Sequence, residues 1–476
     1  MPSSNPLREA LAAGRFCYLV ELVASRIARE ARLLEIATGL ARVPGVVAGS
    51  VTSYAGGAPG HDPLRIGTAA RARGLTPNIH VTCVSLDRAG LRKLLEDAAA
   101  LGIENVFAMS GDWPTAPVGQ DRPPAVYDLD SVQLVAMIAG LRRAGTPFHV
   151  AVAVSPFKYL ESDGLYQYLK LEKKAAAGAD CAITQVGWDA EKFRELRRYA
   201  AERGLRLPLI GNVYVLGPTA AAKMVRGEPP GCWVSPELLA TVQRESEAPD
   251  GGLDARVERA ARTIAILRGL GYAGAYLGGT QDPALIGRII ARADELAPRW
   301  EEFVSELSFG RPGGFYLYRD GARARRPARR PAVAVVLDAL GRLFPVRRET
   351  ALRKALRALF RLIDRSRPAA RALERLEFAI KKPVFGCQAC GNCVLGDLEY
   401  VCPMTCPKHE RNGPCGGTAH GRCEVEDKPC IWGAVYERAG AAGRLDSLRV
   451  YVPPPEPALQ GTSSWINYFL ERDARP

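Results

Sequence analysis

The stretch NIHVTCVSLDRAGLRKLLEDAAALGIENVFAMSGD, residues 78–112, contains a whole strand–helix–strand unit. NIHVTC (78–83) and NVFAMSG (105–111) are short apolar runs of strand length. Between them, DRAGLRKLLEDAAALG (87–102) has helical spacing and closes on Gly102, a usual stop for a helix. The same alternation extends in both directions. Strands are expected at CYLVELV (17–23), VVAGSVT (46–52), FHVAVAV (148–154), CAITQV (181–186), PLIGNVYV (208–215) and GAYLGG (274–279), and a second clear helix at DARVERAARTIAILRGLG (254–271). Eight strands, each followed by a helix, predict a (β/α)8 TIM barrel over residues 1–310. The competing fold is a doubly wound sheet, which is weakened because no GxGxxG follows any strand.

The rest of the chain divides into a basic zone (311–382) and a cysteine-rich zone with a tail (383–476). Residues 319–382 carry 19 Lys and Arg against six acids, an excess equal to the +13 of the whole chain. The barrel is therefore near neutral, and a general nucleic-acid coat is disfavoured. GARARRPARRP (321–331) reads as a charged linker. RRETALRKALRALFRLIDRSR (347–367) reads as a helix with Leu352, Leu356, Leu359 and Ile363 on one face. That helix either packs its leucines on the barrel or offers a surface to an acidic electron-donor protein or anionic lipid. A composition of 47% hydrophobic and 24% charged residues is globular. No apolar run approaches the roughly 18 residues of a membrane span. The first residues lack a signal-peptide core, so a cytoplasmic location is expected.

Eight of the twelve cysteines lie between Cys387 and Cys430, in the order Cys387, Cys390, Cys393, Cys402, Cys406, Cys415, Cys423, Cys430. In a reducing compartment such a cluster reads as a metal site. The triplet Cys387, Cys390, Cys393 is typical of iron–sulfur ligation, in which a fourth cysteine precedes a proline. Cys402-Pro403 and Cys406-Pro407 both offer that step. Eight thiolates can hold two Fe–S clusters, one cluster and a zinc, or two zincs.

Barrel active sites are built at the C-terminal strand ends. Polar residues expected there are Glu21, Thr52, His80, Thr82, Asp112, Gln185 and Asn212. Glu21 interrupts the apolar run LVELV, where it serves either as a structural ion-pair partner or as a general acid whose pKa is raised by desolvation.

LVELVAS (19–25), SVTSYAGG (50–57), HVTC (80–83), SGDWP (110–114), VYDLDSV (126–132) and KKAAAGADCAITQ (173–185) together resemble the barrel of methylenetetrahydrofolate reductases over residues 10–300. The cysteine zone resembles the C-terminal domain of that family. The resemblance implies a flavoprotein of one-carbon metabolism that reduces 5,10-methylenetetrahydrofolate to 5-methyltetrahydrofolate. The cofactor it implies is FAD, with FMN left open; electrons come from NAD(P)H or through the C-terminal Fe–S centres. It implies that Glu21 is the acid protonating a folate nitrogen and that Asp112 lies near the flavin and the substrate cation. Thr52, His80, Ser110, Gly111, Asp112, Tyr127, Ala153 and Lys174 are the implied flavin contacts, and Gln185 the pterin contact. The departures are Ser110 in place of an arginine, Met224 and alanines where a nicotinamide-stacking pair is usual, and no arginine in YLGGT (276–280). They fall on the nicotinamide donor's side. Two further readings stand beside this one: a folate/corrinoid methyl-transfer accessory, and a non-catalytic electron-transfer subunit of a larger redox complex. A homo-oligomer is compatible with all three.

Overall fold

The structure, a computed structural model, describes residues 5–26, 28–54, 57–116, 121–319, 330–344 and 348–473. Most of the linker expected at 321–331 lies outside the described residues. The chain divides into two compact units: 1–322 with 414–427, and 323–413 with 428–476.

The first unit is built on eight parallel strands, β1 (Cys17–Leu22), β2 (Val46–Val51), β3 (Pro77–Thr82), β4 (Asn105–Met109), β5 (His149–Val154), β6 (Cys181–Thr184), β7 (Leu209–Tyr214) and β8 (Gly274–Gly278). They hydrogen-bond in sequence order and close, β8 pairing with β1, into a (β/α)8 TIM barrel. Helix α1 (Pro6–Ala12) precedes β1. The intervening helices are α2 (Glu30–Leu40), α3 (Pro63–Arg71), α4 (Arg88–Ala100), α5 (Ser131–Arg143), α6 (Glu161–Ala177) and α7 (Ala190–Glu202). Three helices, α8 (Pro218–Val225), α9 (Pro236–Glu245) and α10 (Leu253–Gly269), separate β7 from β8, and α11 (Pro283–Leu296) follows. All eight expected strands are present, each end within two residues of its expected place.

Local chemistry sets the helix starts. Asp62, Asp87, Asp130, Asp189 and Asp282 each cap a helix by accepting from backbone N–H groups. Alternation along the strands sends one set of side chains inward. Cys17, Leu19, Ala48, Phe107, Ala151, Ile183, Ile210 and Tyr276 form an interior cluster with Leu7 and Ala10 of α1. Asn5 donates to Asn105 Oδ1 (2.9 Å) at the start of β4, so α1 closes the N-terminal end of the barrel. The opposite end is the one left for chemistry.

The second unit begins with α12 (Ala332–Leu343), α13 (Ala351–Arg365) and α14 (Arg367–Phe385). The cysteine-bearing loops follow, with α15 (Ile431–Ala441) and α16 (Ser464–Phe469). Its polar core is an ion network: Arg444 binds Glu399 (2.6 Å) and Asp338 (2.8 Å), and Arg330 binds Asp338 (2.6 Å). Among the described residues no helix is long and apolar enough to cross a membrane.

Candidate functional site

Glu21 is the one acid of β1. It follows Cys17 and Leu19 in the inward-facing series and stands at the C-terminal end of the strand, opposite Ser50 of β2. It is half-buried, and burial raises it from an ordinary 4.5 to about 7. Its carboxylate has no hydrogen-bond or ion-pair partner among the described residues, so the structural ion pair that the sequence left open has no counterion. Space for it comes from Gly278 in β8. A Cβ there would lie 3.2 Å from Glu21 Oε2 and 3.2 Å from the Tyr214 ring. Sequence reasoning missed Gly278, because the meaning of a glycine depends on what faces it.

The other expected residues stand on or just after the neighbouring strands. Asp112 follows β4; its backbone carbonyl accepts from Tyr127 Oη (2.9 Å), whose ring stacks on Trp113 at 5.6 Å. Between β4 and Asp112, Gly111 holds φ +83°, and a Cβ there would come 2.5 Å from Val84 Cγ2. Thr52 Oγ1 accepts from Ala24 N (3.0 Å), tying the loops after β1 and β2. Gln185 Oε1 accepts from Val186 N (2.9 Å), which orients its amide. His80 lies deeper, with Nε2 3.0 Å from Ser50 Oγ and 3.4 Å from Tyr276 Oη. Burial pulls it down to about 3, so it presents a neutral imidazole. Asn212 Oδ1 is buried without a hydrogen-bond partner among the described residues. Cys232 lies in the loop after α8, apart from the C-terminal cysteines. Its thiol is pushed up to about 12, first by burial and then by the charges of Asp112 and Glu21.

Beside the mouth, α6 and the loop before it carry four buried lysines: Lys158, Lys170, Lys173 and Lys174. Lys174 Nζ donates to Ala153 O (2.6 Å). Lys173 Nζ has no hydrogen-bond partner among the described residues, and burial lowers it to about 7. The segment Pro414–Asp427, part of this unit, lies against the same helix. Lys158 donates to the carbonyls of Gly416 (2.7 Å) and Thr418, Gln167 to Cys415 O (3.0 Å) and Lys170 to Pro414 O (3.0 Å). Asp163 accepts from Gly421 N (2.8 Å). Cys415 and Cys423 therefore ride on the barrel unit.

In the second unit Cys387, Cys390, Cys393 and Cys402 line one small pocket, with Glu377, Lys381 and Arg411 on its wall. Lys381 Nζ lies 3.6 Å from Cys393 Sγ, 2.7 Å from Glu377 Oε1 and 2.8 Å from Ser464 Oγ. Burial raises the Cys402 thiol to about 11. Cys406 and Cys430 belong to this unit but do not line the cavity. Among the described residues no group of three or more His, Cys, Asp or Glu side chains is placed to hold a metal ion.

Residues 6–230 match the family model "Methylenetetrahydrofolate reductase", and residues 370–457 match "Methylene-tetrahydrofolate reductase C terminal". The chain belongs to the methylenetetrahydrofolate reductase family. It is 29% identical over 142 residues to a probable methylenetetrahydrofolate reductase (NADPH) of Caenorhabditis elegans, covering 29% of this chain and 20% of that one. It is 29% identical over 141 residues to the 5,10-methylenetetrahydrofolate reductase of Salmonella typhimurium, covering 29% and 44%. The match to methylenetetrahydrofolate reductase 2 of Schizosaccharomyces pombe is 32% over 143 residues, covering 28% and 22%. The matched stretches span less than half the length of these relatives.

The methylenetetrahydrofolate reductase family uses flavin, and the barrel's residues fit one. Lys173 is a buried amine without a hydrogen-bond partner, and an anion would favour its charged form. Gly111 removes the side chain where backbone must approach a ligand closely.

Proposed function

We propose that the protein reduces 5,10-methylenetetrahydrofolate to 5-methyltetrahydrofolate with a flavin bound in the barrel mouth. The observation that carries this reading is the Glu21 carboxyl, half-buried, without a counterion and poised at about 7. A flavin, when bound, supplies the hydride chemistry. Glu21 holds a proton where a folate nitrogen needs one as the methylene bridge opens. The Asp112 carboxylate favours the cationic form of the substrate electrostatically. Gln185, its carbonyl fixed by Val186 N–H, turns its amide to the pterin.

Gly278→Ala tests the space around the acid. The added methyl would press on both Glu21 and Tyr214, so folate turnover is expected to fall roughly 10–100-fold. The melting temperature should hold, because the residue faces the mouth. Unchanged turnover would remove Glu21's position from the mechanism.

The reading extends to iron in the cysteine cavity. Zinc binds sulfur at about 2.3 Å and needs its four ligands drawn to one point. Here Cys387, Cys390, Cys393 and Cys402 line one pocket, and the triplet spacing followed by a Cys-Pro step is the pattern of cluster ligands. Lys381 beside Cys393 supplies a hydrogen bond to a ligand sulfur, a known lever on potential. Such a centre would feed electrons to the flavin in place of a nicotinamide. Anaerobic purification should give visible absorption bleached by dithionite, with iron and sulfide lost together in Cys390→Ala. A preparation with zinc alone would end the electron-delivery reading and leave the barrel reading standing.

A further inference from the structure

Of the 17 exposed large apolar residues among the described ones, 12 lie between Val333 and Val384. They are not scattered. On α12, Val333, Val336, Leu340 and Leu343 recur at i, i+3, i+7, i+10, which sets one exposed stripe on the helix. On α13, Leu352, Ala355, Leu359 and Leu362 repeat the same spacing, and that helix buries none of its residues. The leucine face expected from the sequence is split. Leu356 and Ile363 are half-buried, while Leu352 and Leu359 stay in solvent. The opposite side of α13 is occupied: Phe360 stacks on Phe469 of α16 at 4.6 Å, and Arg353 binds Tyr468 Oη at 3.2 Å.

Cations border the stripes. Arg342, Lys354, Arg361 and Arg365 are all exposed. The acids of α12 and α13 and the one before α13 are paired within the unit: Asp338 with Arg330 and Arg444, Glu349 with Arg353, and Asp364 with Arg472; Glu374 and Glu377 lie on α14, where Glu377 pairs with Lys381. An exposed aliphatic stripe between cations, on a helix of strong amphipathicity, is the pattern of helices that lie in a membrane interface. A second copy of the same face would set cation against cation. Neither α12 nor α13 contains the Trp or Tyr that anchor protein interfaces.

We infer that the exposed faces of α12 and α13 form a docking surface for an anionic lipid bilayer. The apolar stripe enters the acyl boundary and the arginines meet the headgroups. The attachment is peripheral and independent of the barrel chemistry.

Co-sedimentation of the full chain with vesicles tests this. The protein is expected to pellet with phosphatidylcholine vesicles containing phosphatidylglycerol, to stay in solution with phosphatidylcholine alone, and to be released by high salt. Leu359→Ser with Leu362→Ser should lower binding roughly tenfold or more. Both sites are exposed, so the circular dichroism spectrum should not change. Equal behaviour with both vesicles, no binding to either, or undiminished binding by the double variant would overturn the inference. So would a dimer, or a stable complex with an acidic protein, that the same variant abolishes, since that would assign the face to another occupant.

Discussion

Glu21→Gln is expected to slow turnover of 5,10-methylenetetrahydrofolate by roughly 10²–10⁴-fold, the usual range for general acid assistance, while flavin content stays at the wild-type level. The amide keeps the shape of the side chain and cannot give up a proton. The pH profile carries the sharper signature. Desolvation holds the acid near 7, so its proton-bearing form declines as pH rises through that value. Wild-type turnover should therefore fall above about pH 7, and the variant's residual rate should lack that step. Stability moves with the same group. A carboxyl whose folded pKa is raised binds more protons folded than unfolded between 4.5 and about 7. Folded stability then declines as pH rises through that window. The glutamine variant should lose this slope, which thermal melts across the window would show. A wild-type rate and an unchanged profile in Glu21→Gln would remove the residue from catalysis.

The sequence made the barrel legible because strand burial leaves a plain mark. Runs such as HVAVAV and CAIT are apolar on both faces, which only a sheet covered on both sides requires. Glu21 was legible for the complementary reason: a charge in such a run needs an explanation. Other parts of the site were silent. Gly278 matters through the Glu21 and Tyr214 side chains opposite it, and spacing does not encode that. In α6 the resemblance singles out Lys174 alone, yet Lys170 and Lys173 are buried as well, and Pro414–Asp427 lies against the helix. The covering segment contributes backbone carbonyls, which every sequence possesses. For the same reason the cysteine zone read as one piece, whereas Pro414–Asp427 belongs to the barrel unit. The basic zone was legible as charge and helix but not as an exposed apolar face. Helical spacing gives a stripe its direction and leaves open what lies against it.

Loss of that covering segment should cost the barrel much of its stability. Cutting the chain after Ala322 removes it, and with it the acceptors of Lys158 and Lys170, the acceptor of Gln167 and the donor to Asp163. Hydrogen bonds to charged groups contribute about 1.5–3 kcal/mol each. A domain's whole stability is about 5–15 kcal/mol. Four such bonds therefore amount to a large share of it, even after water replaces part of each. The cut barrel is expected to be insoluble or to melt far below the full chain. A point change isolates the segment from everything else removed by the cut. Gly231 holds φ +84°, and a Cβ there would lie 2.3 Å from Gly416 O. Backbone cannot yield as a flexible side chain does, so Gly231→Ala must displace either the loop before Cys232 or the segment itself. Hydrogen exchange should then quicken in residues 414–421 and at the start of α6, with the far strands β2 and β3 unchanged. If the cut barrel folds with full-length stability and Gly231→Ala leaves exchange as it was, the segment is an ornament on the barrel. If both respond, the C-terminal chain is part of the barrel's own architecture, and Lys158 and Lys170 are buried because it is there.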